Sequence, residues 1–270
     1  MSATLSGRYP IERRHGEIER LDIQSEAMRP DAETLLGLIG VAEGWRCLDL
    51  GCGPGGIVEL LSRRVGPSGR VTGFDGDPAF LARAQARSRG LANVEFVQGD
   101  AYRTALPRAS FDLVHIRFVA STVGSPRELI AEAAALARPG GTVALQEADI
   151  DTLRCYPAHP AWERLVRTMD ALYERTGGDV RLGPKLFGLL RGAGLEAVRY
   201  RPFIVGFRSS DAMVDFLPAT IESMRKAILQ HRLIPEPELD AALRECRAHL
   251  ADPGTVFTYP TVTQAWGRRS

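Results

Sequence analysis

The chain has 270 residues, 44% of them apolar, and its 34 basic and 33 acidic side chains leave a net charge of +1. That is enough apolar material for one large core, or a core with a small cap, and the near-neutral balance gives no broad field to select nucleic acid or an anionic membrane. The four cysteines Cys47, Cys52, Cys155 and Cys246 lack metal-ligand spacing, residues 8–29 are charged where a secretory leader would be apolar, and no run approaches the about 18 apolar residues of a membrane span, so a reduced, cytoplasmic protein without a metal is expected.

In chain order, residues 34–41 are apolar at helical spacing, and residues 46–50 read as a first strand. A glycine turn leads into a helix over 57–65, closed by Gly66-Pro-Ser-Gly69. Residues 71–75 form a second strand. A helix over 78–88 carries Pro78 in its first turn, where a missing N–H costs least. Strands over 94–98 and 111–116 follow, then a helix over 126–137, a sharp turn at Arg138-Pro-Gly-Gly141 and a fifth strand over 142–147. This alternation predicts a parallel sheet covered on both faces, with ligands beyond the strand C-termini. The stretch 149–160 is too irregular for a strand and is expected to be a loop. Beyond it the pattern gives a helix over 182–193 and a strand over 195–207. Helices over 212–229 and 238–251, parted by Pro235 and Pro237, precede a returning strand over 256–266. A strand, a helical excursion and a returning strand suggest an antiparallel pair with an inserted helical lid.

The most informative stretch is Arg46-Cys-Leu-Asp-Leu-Gly-Cys-Gly-Pro-Gly-Gly56. An apolar strand ends beside an acid, Asp49, and a glycine turn runs into a helix N-terminus that presents free N–H groups. Gly51, Gly53 and Gly56 satisfy G-x-G-x-x-G, with Asp75 about 20 residues on, as a dinucleotide site would have it. A kinase-type phosphate loop is excluded, because no G-K-[ST] follows the glycines. Read with its preceding acid, D-x-G-x-G-x-G resembles motif I of the class I S-adenosylmethionine-dependent methyltransferases. An acid beside the loop suits a cofactor with a cationic amine and sulfonium better than a pyrophosphate.

That resemblance extends in order and spacing over residues 20–200. It implies an α/β, Rossmann-like fold with a mostly parallel seven-stranded sheet, an antiparallel C-terminal edge and a helical lid. The expected divisions are an N-terminal cap helix in 1–29, a core of 30–208 with 255–270, and a lid insertion of 209–254. By the same resemblance Gly51, Cys52 and Gly53 lie under the methionine portion of S-adenosylmethionine. Asp75, with Gly76 after it, grips the ribose hydroxyls; Asp100 and Ala101, following Gly99, meet the adenine. Leu21 and Gln24 of the segment Glu17-Ile-Glu-Arg-Leu-Asp-Ile-Gln24, together with Asp49, Arg117 and Phe118, complete the expected cofactor site.

Glu147, at the end of the fifth strand, and His159 are the expected general bases. Asp149, Tyr156 and Tyr173 are expected to face the acceptor. His115, inside an apolar run, reads as a satisfied core histidine. The implied activity is methyl transfer to a small organic acceptor, in specialised metabolism by analogy. Neither nucleic acid nor a membrane is expected as partner, and a homodimer is compatible with the sequence. Two rivals stay open: an NAD-dependent oxidoreductase, which lacks a convincing Tyr/Lys or His/acid pair, and a non-methylating member that keeps the cofactor structurally.

Overall fold

The computed structural model describes residues 16–122 and 124–270, so the first part of the expected 1–29 cap lies outside the described residues. The elements run α1 (Glu17–Ala27), α2 (Arg29–Ile39), β1 (Arg46–Leu50), α3 (Val58–Val65), β2 (Arg70–Asp75), α4 (Pro78–Arg87), β3 (Val94–Gln98), β4 (Phe111–Arg117), α5 (Pro126–Leu136) and β5 (Ala137–Asp149). They continue as β6 (Arg154–Tyr156), α6 (Pro160–Thr176), α7 (Leu186–Gly192), β7 (Glu196–Phe203), β8 (Gly206–Arg208), α8 (Phe216–Gln230), α9 (Glu236–Leu250), β9 (Val256–Thr258) and β10 (Thr261–Arg268).

Seven strands form one sheet in the order β3-β2-β1-β4-β5-β10-β7. Strands β1 to β5 are parallel, and β10 runs antiparallel to both neighbours, next to the edge strand β7. The central strand reads as a near-continuous apolar run because both its faces are covered: Cys47, Leu48 and Leu50 are fully buried. One face packs on Leu36, Val58, Leu61 and Val65, the other on Leu129, Ala133, Leu136 and Leu186. β1 has β2 on one side and β4 on the other, so the strand order reverses beside its C-terminal end. In open α/β sheets that crevice is where ligands bind.

Several sequence expectations need correction. Arg138-Pro-Gly-Gly141 is an irregular start to β5, the register against β4 slipping between Phe111 and Leu113. Gly141 is required there, since a Cβ would lie 2.7 Å from the Phe111 carbonyl oxygen. The expected loop 149–160 contains β6, which pairs with β9 and, through it, β8 in a small second sheet. The single strands expected over 195–207 and 256–266 are each two strands, shared between the two sheets. Helix α6 was not foreseen. Its signal is legible in retrospect: Trp162, Leu165, Met169, Leu172 and Tyr173 recur at helical spacing behind Pro160 at the first turn, and all five are buried. They pack with Leu217, Ile221 and Met224 of α8 and Leu239, Leu243 and Cys246 of α9 around a separate apolar cluster. The helical layer over the sheet's active end is therefore built from 160–176 as well as from the 209–254 excursion. Among the described residues no helix is long and apolar enough to cross a membrane.

Candidate active site

A cavity of about 660 Å³ opens where β1, β2, β3 and β4 end, and is roofed by α1, α6 and α8. The turn after β1 forms its floor. Gly51 and Gly53 have φ of +81° and +54°, a region that L side chains rarely adopt. Val119 presses on Gly51 so closely that a Cβ there would lie 2.4 Å from it. At Gly53, by contrast, a Cβ would meet nothing within 4 Å, so the main chain faces open cavity.

Asp75 ends β2 beside this loop. It accepts hydrogen bonds from Gly53 N–H and Asp77 N–H, both at 2.8 Å. Burial raises its pKa above the ordinary aspartate value, and the two N–H donors work against that rise. The helix N-cap nearby is Asp77, which accepts from Ala79 N–H, so Asp75 is left to face the cavity. Asp100 accepts from Tyr102 N–H at 2.9 Å in the turn after β3 and, with Ala101, lines the same wall.

Helix α1 closes the opposite side. Asp22 pairs with Arg83 at 2.8 Å and with Arg87, both on α4. Ser25 donates to the Gly56 carbonyl at 3.1 Å, and Gln24 donates to the Tyr259 hydroxyl at 2.8 Å. Arg117, at the end of β4, donates to Ser25 Oγ at 3.1 Å, while its Nη1 is buried without a hydrogen-bond partner. Desolvation lowers the Arg117 pKa, and the nearby Asp49 opposes it.

The β4 end turns sharply. Phe118 has φ of +55°, strained for a non-glycine residue, and the Val119 and Ala120 N–H groups that follow donate to Glu147 Oε1 at 3.1 and 2.8 Å. Glu147 is wholly buried behind this turn, and burial pushes its carboxyl pKa up to about 7. Its carboxylate holds the loop that presses on Gly51; it does not line the cavity. The expected base thus stands behind the turn and not at the cavity wall.

Of the residues expected from sequence, Leu21, Gln24, Asp49, Gly51, Cys52, Gly53, Asp75, Gly76, Asp100, Ala101, Arg117, Phe118 and Tyr173 come together around the cavity. Asp149, Tyr156 and His159 do not. Asp149 turns aside to accept from Asp151 N–H. Tyr156 is 74% exposed on β6. The His159 Nδ1 caps α6 by accepting from Ala161 N–H at 3.2 Å, and its ring stacks on His249 at 4.5 Å. Capping suffices to explain a histidine before Pro160.

Sequence reading missed one end of the cavity. Met169, Phe216 and Tyr259 form an apolar wall with Tyr173, and Thr220, Arg20 and Glu17 form a polar corner. Glu17 is buried and paired with Arg20 at 2.8 Å, and Ser223 donates to it at 2.6 Å. The spacing of Glu17, Arg20 and Gln24 on one helical stripe was the available signal. No local signal marked Tyr259, which reaches the site only through the break between β9 and β10.

With this geometry in hand, comparison with known proteins is specific. The methyltransferase domain family matches residues 47–141, from the middle of β1 to the start of β5. The solved S-adenosylmethionine-dependent methyltransferase of Aquifex aeolicus shares the fold at a TM-score of 0.51, with 20% identity, 70% of this chain covered and 92% of that one. Residues 47–141 therefore match a methyltransferase domain, on a fold shared with solved S-adenosylmethionine-dependent methyltransferases. An uncharacterised 37.1 kDa protein of transposon TN4556 from Streptomyces fradiae is 32% identical over 213 residues, covering 78% of this chain and 61% of its own length. Nocamycin O-methyltransferase of Saccharothrix syringae is 38% identical over 122 residues, 44% of either chain. The chain thus spans less than two thirds of either curated relative.

Proposed function

We propose that the protein transfers the methyl group of S-adenosylmethionine to a small organic acceptor held between the sheet and the helical cover. The observation that carries this reading is the continuity of one cavity, from the Gly51–Gly53 turn, Asp75 and Asp100 to Met169, Tyr173, Phe216 and Tyr259. Its first half suits the cofactor. Gly53 leaves room for a ligand against the main chain, Asp75 can accept from two hydroxyls, and the unpartnered Nη1 of Arg117 suits a carboxylate. When bound, S-adenosylmethionine supplies an electrophilic methyl on a sulfonium.

The chain's own residues then align and desolvate. Closing a nucleophile under an apolar wall strips it of water, and holding it in line removes much of the entropic barrier. Tyr173 and Tyr259 stay protonated, because burial drives both pKa values well above the ordinary tyrosine value. The Tyr259 hydroxyl accepts from Gln24, so its own proton is available to orient an acceptor oxygen. Neither Glu147 nor His159 enters this scheme as a base. The apolar wall with one polar corner at Arg20 and Glu17 suits a largely hydrophobic, partly oxygenated molecule, and the likeness to an enzyme named as an O-methyltransferase supports an oxygen as the acceptor atom.

The test is turnover: incubation with S-adenosylmethionine and extracts fractionated by polarity, followed by mass spectrometry. Acceptor-dependent S-adenosylhomocysteine with a product heavier by one methylene is expected. Tight cofactor binding with no product in any fraction would favour the structural-cofactor rival.

A further inference from the structure

A chain of polar side chains, buried but for the half-buried Arg201 at its outer end, crosses five strands of the main sheet and ends in the cavity. Arg201 on β7 donates from Nη1 to Gln264 Oε1 at 2.7 Å. Gln264 on β10 donates from Nε2 to Gln146 Oε1 at 2.9 Å. Gln146 on β5 places its Nε2 2.8 Å from His115 Nε2, and His115 on β4 places Nδ1 2.8 Å from Asp49 Oδ1 on β1. Arg201, Gln264 and Gln146 are register partners across β7, β10 and β5, as are His115 and Asp49 across β4 and β1. Gln264 and His115 are wholly buried, and Gln146 and Asp49 are 2% and 3% exposed.

The chain has a direction, and its far end fixes it. A guanidinium only donates, so Gln264 must turn its carbonyl to Arg201. The Gln264 amide nitrogen then also meets the Asp31 carbonyl, at 2.9 Å, which only accepts. Reversing Gln264 would set donor against donor at Arg201 and acceptor against acceptor at Asp31. With Gln264 fixed, Gln146 must accept from it and donate to His115. His115 Nε2 is therefore the acceptor, and the ring proton sits on Nδ1, pointing at Asp49. Arg201 is itself held by Asp31 at 2.9 Å.

Apolar residues of similar size would fill a sheet interior at no loss of stability, and often with a gain. A polar relay that ends at a carboxylate lining the cofactor cavity asks for another explanation. We propose that Arg201, Gln264, Gln146 and His115 are positioning residues: a one-way relay that locks the His115 tautomer and aims the Asp49 carboxylate at a cationic ligand group. The relay is read without a ligand; only the identity of that ligand rests on the methyl-transfer reading.

Two readouts test it. Long-range nitrogen–proton correlation spectra of the ligand-free protein, labelled at histidine, should give His115 as the neutral Nδ1–H tautomer at neutral pH. An Nε2–H tautomer or a doubly protonated ring overturns the relay, whether or not S-adenosylmethionine binds. Second, Gln146 does not itself line the cavity, and Gln146→Met keeps its main-chain bonds while breaking the side-chain relay. It should weaken S-adenosylmethionine binding about tenfold, the scale of one hydrogen bond to a charged group. In an Asp49→Asn background the same change should alter affinity less than about twofold, as coupled residues do. Equal losses in both backgrounds would make the relay a structural filler and end the proposal. Arg201→Met, at the edge strand, serves if Gln146→Met does not fold. A wild-type protein that ignores S-adenosylmethionine would count against the methyltransferase reading, and the tautomer alone would then decide the relay.

Discussion

At the scale of single residues, two carboxyl groups have different tasks because their surroundings differ. Asp75 faces the cavity while two N–H groups hold it in place. Asp75→Asn keeps one acceptor but sets its NH2 against the other N–H, so the protein should stay folded with a modestly lower melting temperature. The substitution should weaken S-adenosylhomocysteine binding by about 1.5–3 kcal/mol, the worth of one hydrogen bond to a charged group, read by calorimetry. Unchanged affinity in a folded variant would remove Asp75 from the site. Glu147 is wholly buried, and its pKa is raised from 4.5 to about 7. A carboxyl held above its unfolded value keeps its proton in the native state after the unfolded chain has lost it. Stability from this group is therefore full below about pH 4.5, falls as pH rises through about 7, and then levels. The fall is of order 3 kcal/mol. Glu147→Gln cannot ionise and should flatten that decline, which melts at pH values on both sides of the window would reveal. His159→Ala should keep near-full turnover and lose only the cap of α6, about 0.5–2 kcal/mol of stability. A collapse of kcat in that variant would reinstate it as a base.

At the scale of elements, legibility followed how local the signal was. The β1 turn, Asp75 after β2 and Asp100 after β3 were readable because each is a strand end followed by a turn, and parallel strands bring such ends together. Helix α6 carried its own periodic pattern, yet it followed an irregular stretch that drew attention away from it. The splitting of 195–207 and 256–266 was not local: residues 256–258 pair with β6 on one side and with residues 206–208 on the other, and each of these three strands is only three residues long. Nothing within any of these segments says that it will leave the main sheet. Tyr259 and the Glu17–Arg20 corner were hidden for the same reason, since their partners lie more than 200 residues away. The helical cover depends on α6 as its keystone. Leu165→Ala, at a wholly buried position between α8 and α9, should cost about 2–5 kcal/mol by leaving a cavity. A loss below about 1 kcal/mol in chemical denaturation would mean that the cover repacks freely.

At the scale of the whole molecule, the fold divides labour between a rigid sheet and a helical roof. The sheet supplies the strand ends, the glycine turn and the polar relay from Arg201 to Asp49. The roof supplies the apolar wall of Met169, Tyr173 and Phe216, which lines one end of the cavity. The cap helix α1 joins the two, through Asp22 to α4 and through Glu17 to α8. The central claim is that this cavity takes S-adenosylmethionine and its demethylated product. Titration calorimetry of the intact protein with S-adenosylhomocysteine, with NAD in a parallel cell, tests it most directly. The account predicts saturable one-to-one binding of S-adenosylhomocysteine and no saturable heat with NAD. Saturable NAD binding without any response to S-adenosylhomocysteine would contradict it.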